Sequence, residues 1–258
     1  MNAHIDLVKR EFTRQAAGFD AYQATDAKTA FNLHAIDHMR LTGQENVLEV
    51  AAGTCAFERM IAPHVQHITE LDATSAMLSI GRRENERAGV KNASYILGAA
   101  EQLPFANGHF DAVVSRLAFH HFADPEAAFQ EMRRVLRPGG QLLVADMQAR
   151  SAPLRQIADH YERLRDPSHV RCMTMDELDA LARRCGLVRE YGSLTAIPMR
   201  LESWMALTDV PEETRVRITS AMTDELCGGE KTGFAPYGEA SDIRFDHHWM
   251  LLIYRLPQ

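Results

Sequence analysis

Cysteine is scarce in this chain of 258 residues: four stand at 55, 172, 185 and 227, with no C-x-x-C pair. That spacing excludes a zinc knuckle and a dithiol redox motif and fits reduced thiols. No run approaches the roughly 18 consecutive apolar residues of a membrane span, and Met1–Arg10 lacks the apolar centre of a signal peptide. The expectation is a cytoplasmic protein without a membrane partner. Positive charge is not in excess either, the net charge being −7, which argues against a phosphate-binding face for nucleic acid. The local cluster Arg133, Arg134 and Arg137 reads as the solvated side of a helix. Internal repeats and low-complexity linkers are missing, so the length points to one large domain, or one domain with an insert.

What is present is alternation. Asn46–Ala51, His67–Asp72, Ala93–Gly98, Phe110–Arg116 and Gln141–Met147 are short apolar runs that read as strands buried on both faces. Between them Ser75–Ala88 is helical in period and stops at Gly89. A second helix opens at Pro125 behind an Asp124 cap and ends at the Arg137-Pro138-Gly139-Gly140 turn. Strand–helix alternation of this kind implies parallel βαβ units. Beyond Met147 the rhythm changes. Helices are expected over Pro153–Leu164, from the Thr174-x-x-Glu177 capping box to Gly186, and over Leu201–Leu207 and Pro211–Leu226. The stretch 228–238 is Gly-rich, and strands are expected at Leu187–Ile197 and His248–Leu256.

The sharpest local signal is Val47-Leu48-Glu49-Val50-Ala51-Ala52-Gly53-Thr54-Cys55, a buried strand running into a small-residue turn. Small residues let a ligand approach the backbone at the carboxyl end of a strand, where open α/β sheets bind theirs. Asp72 closes the next strand, 19 residues after Gly53, and can accept from ribose hydroxyls. The turn lacks the third Gly of G-x-G-x-x-G, with Phe57 near its place, which favours a nucleotide without a pyrophosphate.

Five blocks, VLEVAAGT, ELDATSAML, GAAEQLPF, FDAVVSRLAFHHFADP and EMRRVLRPGGQLLVAD, together resemble the class I S-adenosylmethionine-dependent methyltransferases of the ubiquinone/menaquinone-biosynthesis type (methyltransferase type 11). RDPSHVR and IPMRLESW are similar to a bacterial subgroup of that family. The resemblance implies a Rossmann-like α/β fold: a seven-stranded sheet with the last strand antiparallel, helices on both faces and a helical cap. It implies one methyltransferase domain over 1–258, with a donor-binding core at 41–147 and a cap from 1–40, 148–172 and 198–245. Carried over, Glu49 lies under the turn, holding either its backbone or the donor's amino group. Ala51 and Gly53 floor the methionine moiety, and Asp72 takes the ribose hydroxyls. Ala73 and Met77 flank the adenine, Ala100 and Glu101 lie near its edge, and Arg116 and Leu117 line the donor near its sulfonium. Two positions depart from the pattern. Cys55 replaces a Gly and narrows the floor, and Ala99 replaces an acidic residue that accepts from the adenine amino group.

Methyl transfer from a sulfonium is an in-line displacement in which positioning supplies most of the catalysis, and a base is needed only where the nucleophile must lose a proton. The candidates are His120 and His121, as base or as structural hydrogen-bond partners, and His169, as substrate contact or as part of a loop capped by Asp166. His34 and His38 stand one helical turn apart without a third ligand, so no metal is expected. Phe12, Ala16, Phe19 and Tyr22 share a helical face that is either core or a lid over the donor. His169, Arg171, Tyr161 and Trp204 are expected to wall a pocket for a small-molecule acceptor. The competing readings are a non-catalytic S-adenosylmethionine-binding protein on the same scaffold and a nicotinamide-dependent oxidoreductase, the latter disfavoured by the turn.

Overall fold

Residues 3–149 and 151–258 are described by a computed structural model. The five apolar runs form strands β1 (Asn46–Val50), β2 (His67–Asp72), β3 (Ala93–Leu97), β4 (Phe110–Arg116) and β5 (Leu136–Gln148), all mutually parallel. They are followed by β6 (Val188–Arg200), β7 (Tyr237–Glu239) and β8 (Asp242–Arg255). The sheet order is β3-β2-β1-β4-β5-β8-β6, and β8 runs antiparallel to both of its long neighbours. The chain therefore has the α/β sheet with an antiparallel last strand that the sequence implies, and the short β7 is added at its margin.

Successive residues of each strand serve opposite faces, as the pleat requires. Val47, Val114, Leu143 and Ile253 join a core with Phe31, Ala35 and Ile36 of helix α2 (Asp26–His38), whereas Leu48, Val113, Leu142 and Tyr254 join another. That second core receives Phe129 and Met132 of α5 (Pro125–Val135) and Leu178 and Leu181 of α7 (Met175–Arg184). The remaining helices are α1 (Ala3–Gln23), α3 (Glu58–Ile61), α4 (Ser75–Ala88), α6 (Ala152–Arg165), α8 (Leu201–Leu207) and α9 (Glu212–Leu226). Asp124 caps α5 through the Ala127 N–H, and Thr174 and Glu177 form the expected capping box on α7.

Several boundaries differ from the sequence expectation, among them the end of β6, which runs on from Ile197 to Arg200. Helix α5 stops at Val135 rather than Arg137 and passes directly into β5, because a residue that precedes proline, here Arg137, is disfavoured in the α region. Strand β8 starts six residues before His248. Its first half alternates buried Ile243, Phe245 and His247 with polar partners, a period-2 pattern that the continuous apolar run after it overshadows. Part of the Gly-rich stretch becomes β7, which pairs with β8.

Lys28 of α2 is buried, its ammonium 3.4 Å over the Tyr22 ring centroid and donating to the Tyr22 carbonyl at 2.7 Å. Burial, and next the like charge of Arg165, bring it down to about 7. The unfolded chain then holds more protons than the folded one between about pH 7 and pH 10.5, so this lysine makes stability rise with pH across that window. Relative to the wild type, Lys28→Met should flatten the denaturant-midpoint profile there. Parallel profiles for the two proteins would contradict the assignment.

Candidate functional site

The exit of β1 is bent by three left-handed residues, Ala51, Gly53 and Cys55, with φ of 59°, 58° and 57°. Only glycine adopts that region freely, and a side chain there costs roughly 1–2 kcal/mol, so Ala51 and Cys55 are held by their surroundings. The Ala52 N–H donates to the Leu71 carbonyl at 3.1 Å and the Gly53 N–H to Asp72 Oδ2 at 2.8 Å. The other Asp72 oxygen accepts from the Thr74 N–H at 2.7 Å. Asp72 thus ties the ends of β1 and β2 together. Its carboxyl is raised above the usual range by burial, which these backbone donors oppose.

Above the turn lies a cleft of about 1020 Å³, part of it open to solvent. Its lining brings together Glu49, Ala51, Gly53, Asp72, Ala73, Ala100, Glu101, Arg116 and Leu117, nine of the ten residues expected around the donor. Met77 is the exception: it is fully buried beneath α4 and does not reach the cleft, whose edge is formed by Ala73 and Thr74 instead. Cys55 also departs from expectation. Its thiol points behind the turn at Gly81 of α4, so it does not narrow the cleft floor, and burial pushes the thiol far above its ordinary range.

Arg116 is half-buried at the cleft, donating to Asn32 Oδ1 at 2.7 Å, 3.9 Å from Glu49 and stacked 4.5 Å over the Phe57 ring. Glu49 is raised to about 7 by burial, against the pull of Arg116. Arg116 Nε is shielded from water and has no hydrogen-bond partner among the described residues, whereas the Glu49 carboxyl lies against that of Glu70, its neighbour on β2. A cation with an unmet donor, set beside a carboxyl at the cleft, suits a ligand that carries an amino-acid end group.

Helix α1 covers this cleft with Ile5, Val8, Phe12 and Phe19. Asp20 fixes it to the turn, accepting from Thr54 Oγ1 and pairing with Arg59 at 2.5 Å. Of the helical face noted in the sequence, Ala16 is buried, while Phe12, Phe19 and Tyr22 line cavities.

A second cavity, about 530 Å³, adjoins the first through Phe12, Phe19, Gln23, Leu117 and His121, which line both. Its apolar wall includes Met147, Leu207 and Trp249, and its polar wall includes Gln15, Glu162, Arg165, Asp166 and His247. His120, His121 and His169 all reach it, with ring centroids 4.2–6.3 Å apart. His120 Nδ1 bonds Asp146 Oδ1 at 2.5 Å, and His169 Nε2 bonds Asp159 Oδ1 at 2.8 Å. Ser168 Oγ donates to Asp166 at 2.5 Å and lies 3.1 Å from His121 Nδ1. Burial lowers His121 to about 3, helped by the neighbouring His120. Burial raises Glu162, but its bond to His247 and the Arg165 charge outweigh it and hold the carboxyl at about 2.

Other expected wall residues lie elsewhere. Arg171 pairs with Glu177 at 2.9 Å on the outside, Tyr161 lines a separate groove beside α9, and Trp204 is fully buried against Phe234 and Phe245. His34 and His38 cluster with Tyr191 of β6. Two buried trios unseen in the sequence, Asp159–His169–Cys172 and Cys55–Glu58–Glu70, bring possible metal-ligating atoms within 4.8 Å of one another. In the first, Asp159 already accepts from His169 and from the Cys172 N–H. Sequence reasoning also missed Asp146, although an acid ending the buried run Leu142–Ala145 is the same signal that identified Asp72.

The family described as "Methyltransferase domain" matches residues 48–144. The chain is 32% identical over 176 residues to the uncharacterized methyltransferase YcgJ of Bacillus subtilis, covering 68% of this chain and 70% of that protein. It is also 32% identical over 164 residues to the ubiquinone/menaquinone biosynthesis C-methyltransferase UbiE of Coxiella burnetii, covering 60% and 66%. The crystal structure of the Bacillus YcgJ protein superposes with a TM-score of 0.81 at 27% identity, over 89% of this chain and 99% of that one. A Haemonchus contortus phosphoethanolamine N-methyltransferase, solved with S-adenosylhomocysteine, shares the fold alone. Its TM-score is 0.67 at 16% identity, over 100% of this chain and 61% of that one.

Proposed function

This chain belongs to the class I S-adenosylmethionine-dependent methyltransferases of the type 11 family, and from that premise we propose that it methylates a small molecule held in the second cavity. The observation that carries the proposal is the junction of the two cavities. The cleft above the turn and the second cavity, beneath α1 and α6, meet at Leu117 and His121, which gives a donor and an acceptor one shared boundary.

In this reading Asp72 holds the ribose hydroxyls, and Ala51 and Gly53 let the donor lie against the turn. Arg116 and Glu49 meet its carboxylate and amino group, and Ala73, Ala100 and Glu101 border the adenine. When bound, S-adenosylmethionine supplies an electrophilic methyl group. The protein's part is to place the acceptor in line with it, to exclude water beneath α1 and to take up any proton that departs, at His120 or His121. His169 contacts the acceptor. The segments 1–40, 148–172 and 198–245 form the cap over the core at 41–147, contributing Phe12, Phe19, Glu162, Arg165, Asp166, His169 and Leu207 to the cavity wall.

Titration calorimetry with S-adenosylhomocysteine and with NAD tests the donor side: the first should bind and the second should not. His169→Ala should lower turnover or raise the acceptor KM while leaving donor affinity within about twofold, the signature of a residue that touches only one of two substrates. Parallel loss of donor affinity in a folded His169→Ala protein would remove it from the acceptor site. Donor binding without methyl transfer to any small molecule would favour the non-catalytic reading.

A further inference from the structure

We propose that His120, oriented by Asp146, is the base that takes a proton from a ring hydroxyl of the acceptor, so that the acceptor is a hydroxyaromatic compound methylated on oxygen. The inference rests on the methyl-transfer reading above and selects between its two candidate histidines.

Asp146 lies near the end of β5 with its carboxylate aimed at the 3-10 turn that carries His120. It accepts from His120 Nδ1 at 2.5 Å, from the His120 backbone N–H at 3.3 Å and from the Met147 N–H at 2.6 Å. The His120 backbone is held too, its carbonyl accepting from the Val170 N–H at 2.8 Å. A carboxylate on Nδ1 fixes the tautomer with Nδ1–H, which leaves a lone pair on Nε2. His120 lines the second cavity, and no group among the described residues hydrogen-bonds its Nε2.

His121 differs in kind. The single Ser168 hydroxyl proton goes to Asp166, so His121 Nδ1 must donate to Ser168 Oγ, and no carboxylate contacts the ring directly. The groups facing His120 from packed elements are Asp146, Glu162 and Asp166 against His121 and His169. Burial lowers His120, but Asp146, by charge and hydrogen bond, outweighs it and leaves the ring above its ordinary value, whereas His121 is depressed. Of the two, only His120 can hold a proton near neutrality.

The apolar side of the cavity fits a flat ring. Phe12, Phe19, Tyr22 and Trp249 supply aromatic walls, and His169 Nδ1, buried and without a partner among the described residues, offers a second polar contact 5.5 Å from His120, measured between ring centroids. In the step itself the acceptor O–H bond breaks and its proton passes to His120 Nε2. The oxygen forms its bond to the methyl carbon as the carbon–sulfur electron pair stays on sulfur, giving the neutral thioether. The imidazolium, stabilised by Asp146, later releases its proton to water.

The test is nitrogen NMR on uniformly 15N-histidine-labelled protein saturated with S-adenosylhomocysteine, which reads tautomer and titration without turnover. His120 should show a protonated Nδ1 and a bare Nε2, and it should titrate above 6.5. In Asp146→Asn that titration should fall by roughly 1–3 units, as expected on losing an adjacent opposite charge. Catechol, phenol or 2-naphthol should shift the Nε2 resonance, and N,N-dimethylaniline, similar in shape but with no proton to lose, should not. His120→Gln should cut methyl transfer to the accepted phenol at least 100-fold with donor affinity unchanged. An Nε2–H tautomer in the wild type, or a titration unmoved in Asp146→Asn, would overturn the base assignment. A silent response to all three phenols, or transfer to dimethylaniline alone, would overturn the acceptor class. Failure of S-adenosylhomocysteine to bind would instead strike the methyl-transfer reading.

Discussion

Replacing Asp72 by alanine should weaken S-adenosylmethionine binding on the order of 10- to 100-fold, the loss expected when hydrogen bonds to a charged group go unmade. The effect should exceed that of a ribose contact alone, because Asp72 also accepts from the Gly53 and Thr74 N–H groups and so shapes the turn proposed to carry the donor. Asp72→Asn keeps the shape but offers one carbonyl oxygen for those two donors, and its affinity should fall between the wild type and the alanine variant. Calorimetry on the two folded variants decides the matter. Unchanged affinity in Asp72→Ala would remove this carboxylate from the donor site.

Asp72 also shows why this part of the molecule was legible in the sequence. Strands buried on both faces write near-continuous apolar runs, and a ligand at the carboxyl edge of a parallel sheet must be met by whatever residue ends each run. Gly53 and Asp72 can therefore be placed from local pattern, Glu49 and Arg116 come from the family resemblance, and the cleft gathers all four. The second cavity is different. It is assembled from α1, the 3-10 turn at His120, α6, the loop at Asp166–His169, α8 and β8, whose sequence separations exceed 200 residues. No period or spacing links Phe12 to Trp249. Arg171 looks like an anchor by composition but turns outward because Glu177, needed in the capping box of α7, draws it there. Met77 fails for a similar reason, its side chain buried beneath the helix rather than facing the cleft.

Gly81→Ala should destabilise the fold by about 1–3 kcal/mol, the usual penalty of overfilling a packed site. Gly81 lies in the interior of α4, where alanine ordinarily favours a helix by up to about 1 kcal/mol, so the sign expected from propensity alone is the opposite. Packing reverses it. A Cβ there would stand 2.5 Å from Cys55 Sγ, 3.0 Å from Cys55 Cβ and 3.1 Å from the Thr54 carbonyl carbon. The last of these is backbone of the donor turn and cannot swing away. The strain should therefore reach the cleft, and donor affinity should drop along with the denaturation midpoint. Cys55→Gly removes the thiol from the clash and frees a residue held at φ 57°, so it should restore part of both losses. The double variant Cys55→Gly/Gly81→Ala is thus expected to be more stable than the sum of its single effects by roughly 0.5–3 kcal/mol, the range found for residues in direct contact. Strict additivity in denaturant unfolding would mean that α4 retreats from the turn without resistance, and the thiol and the glycine would then be independent features of the sequence.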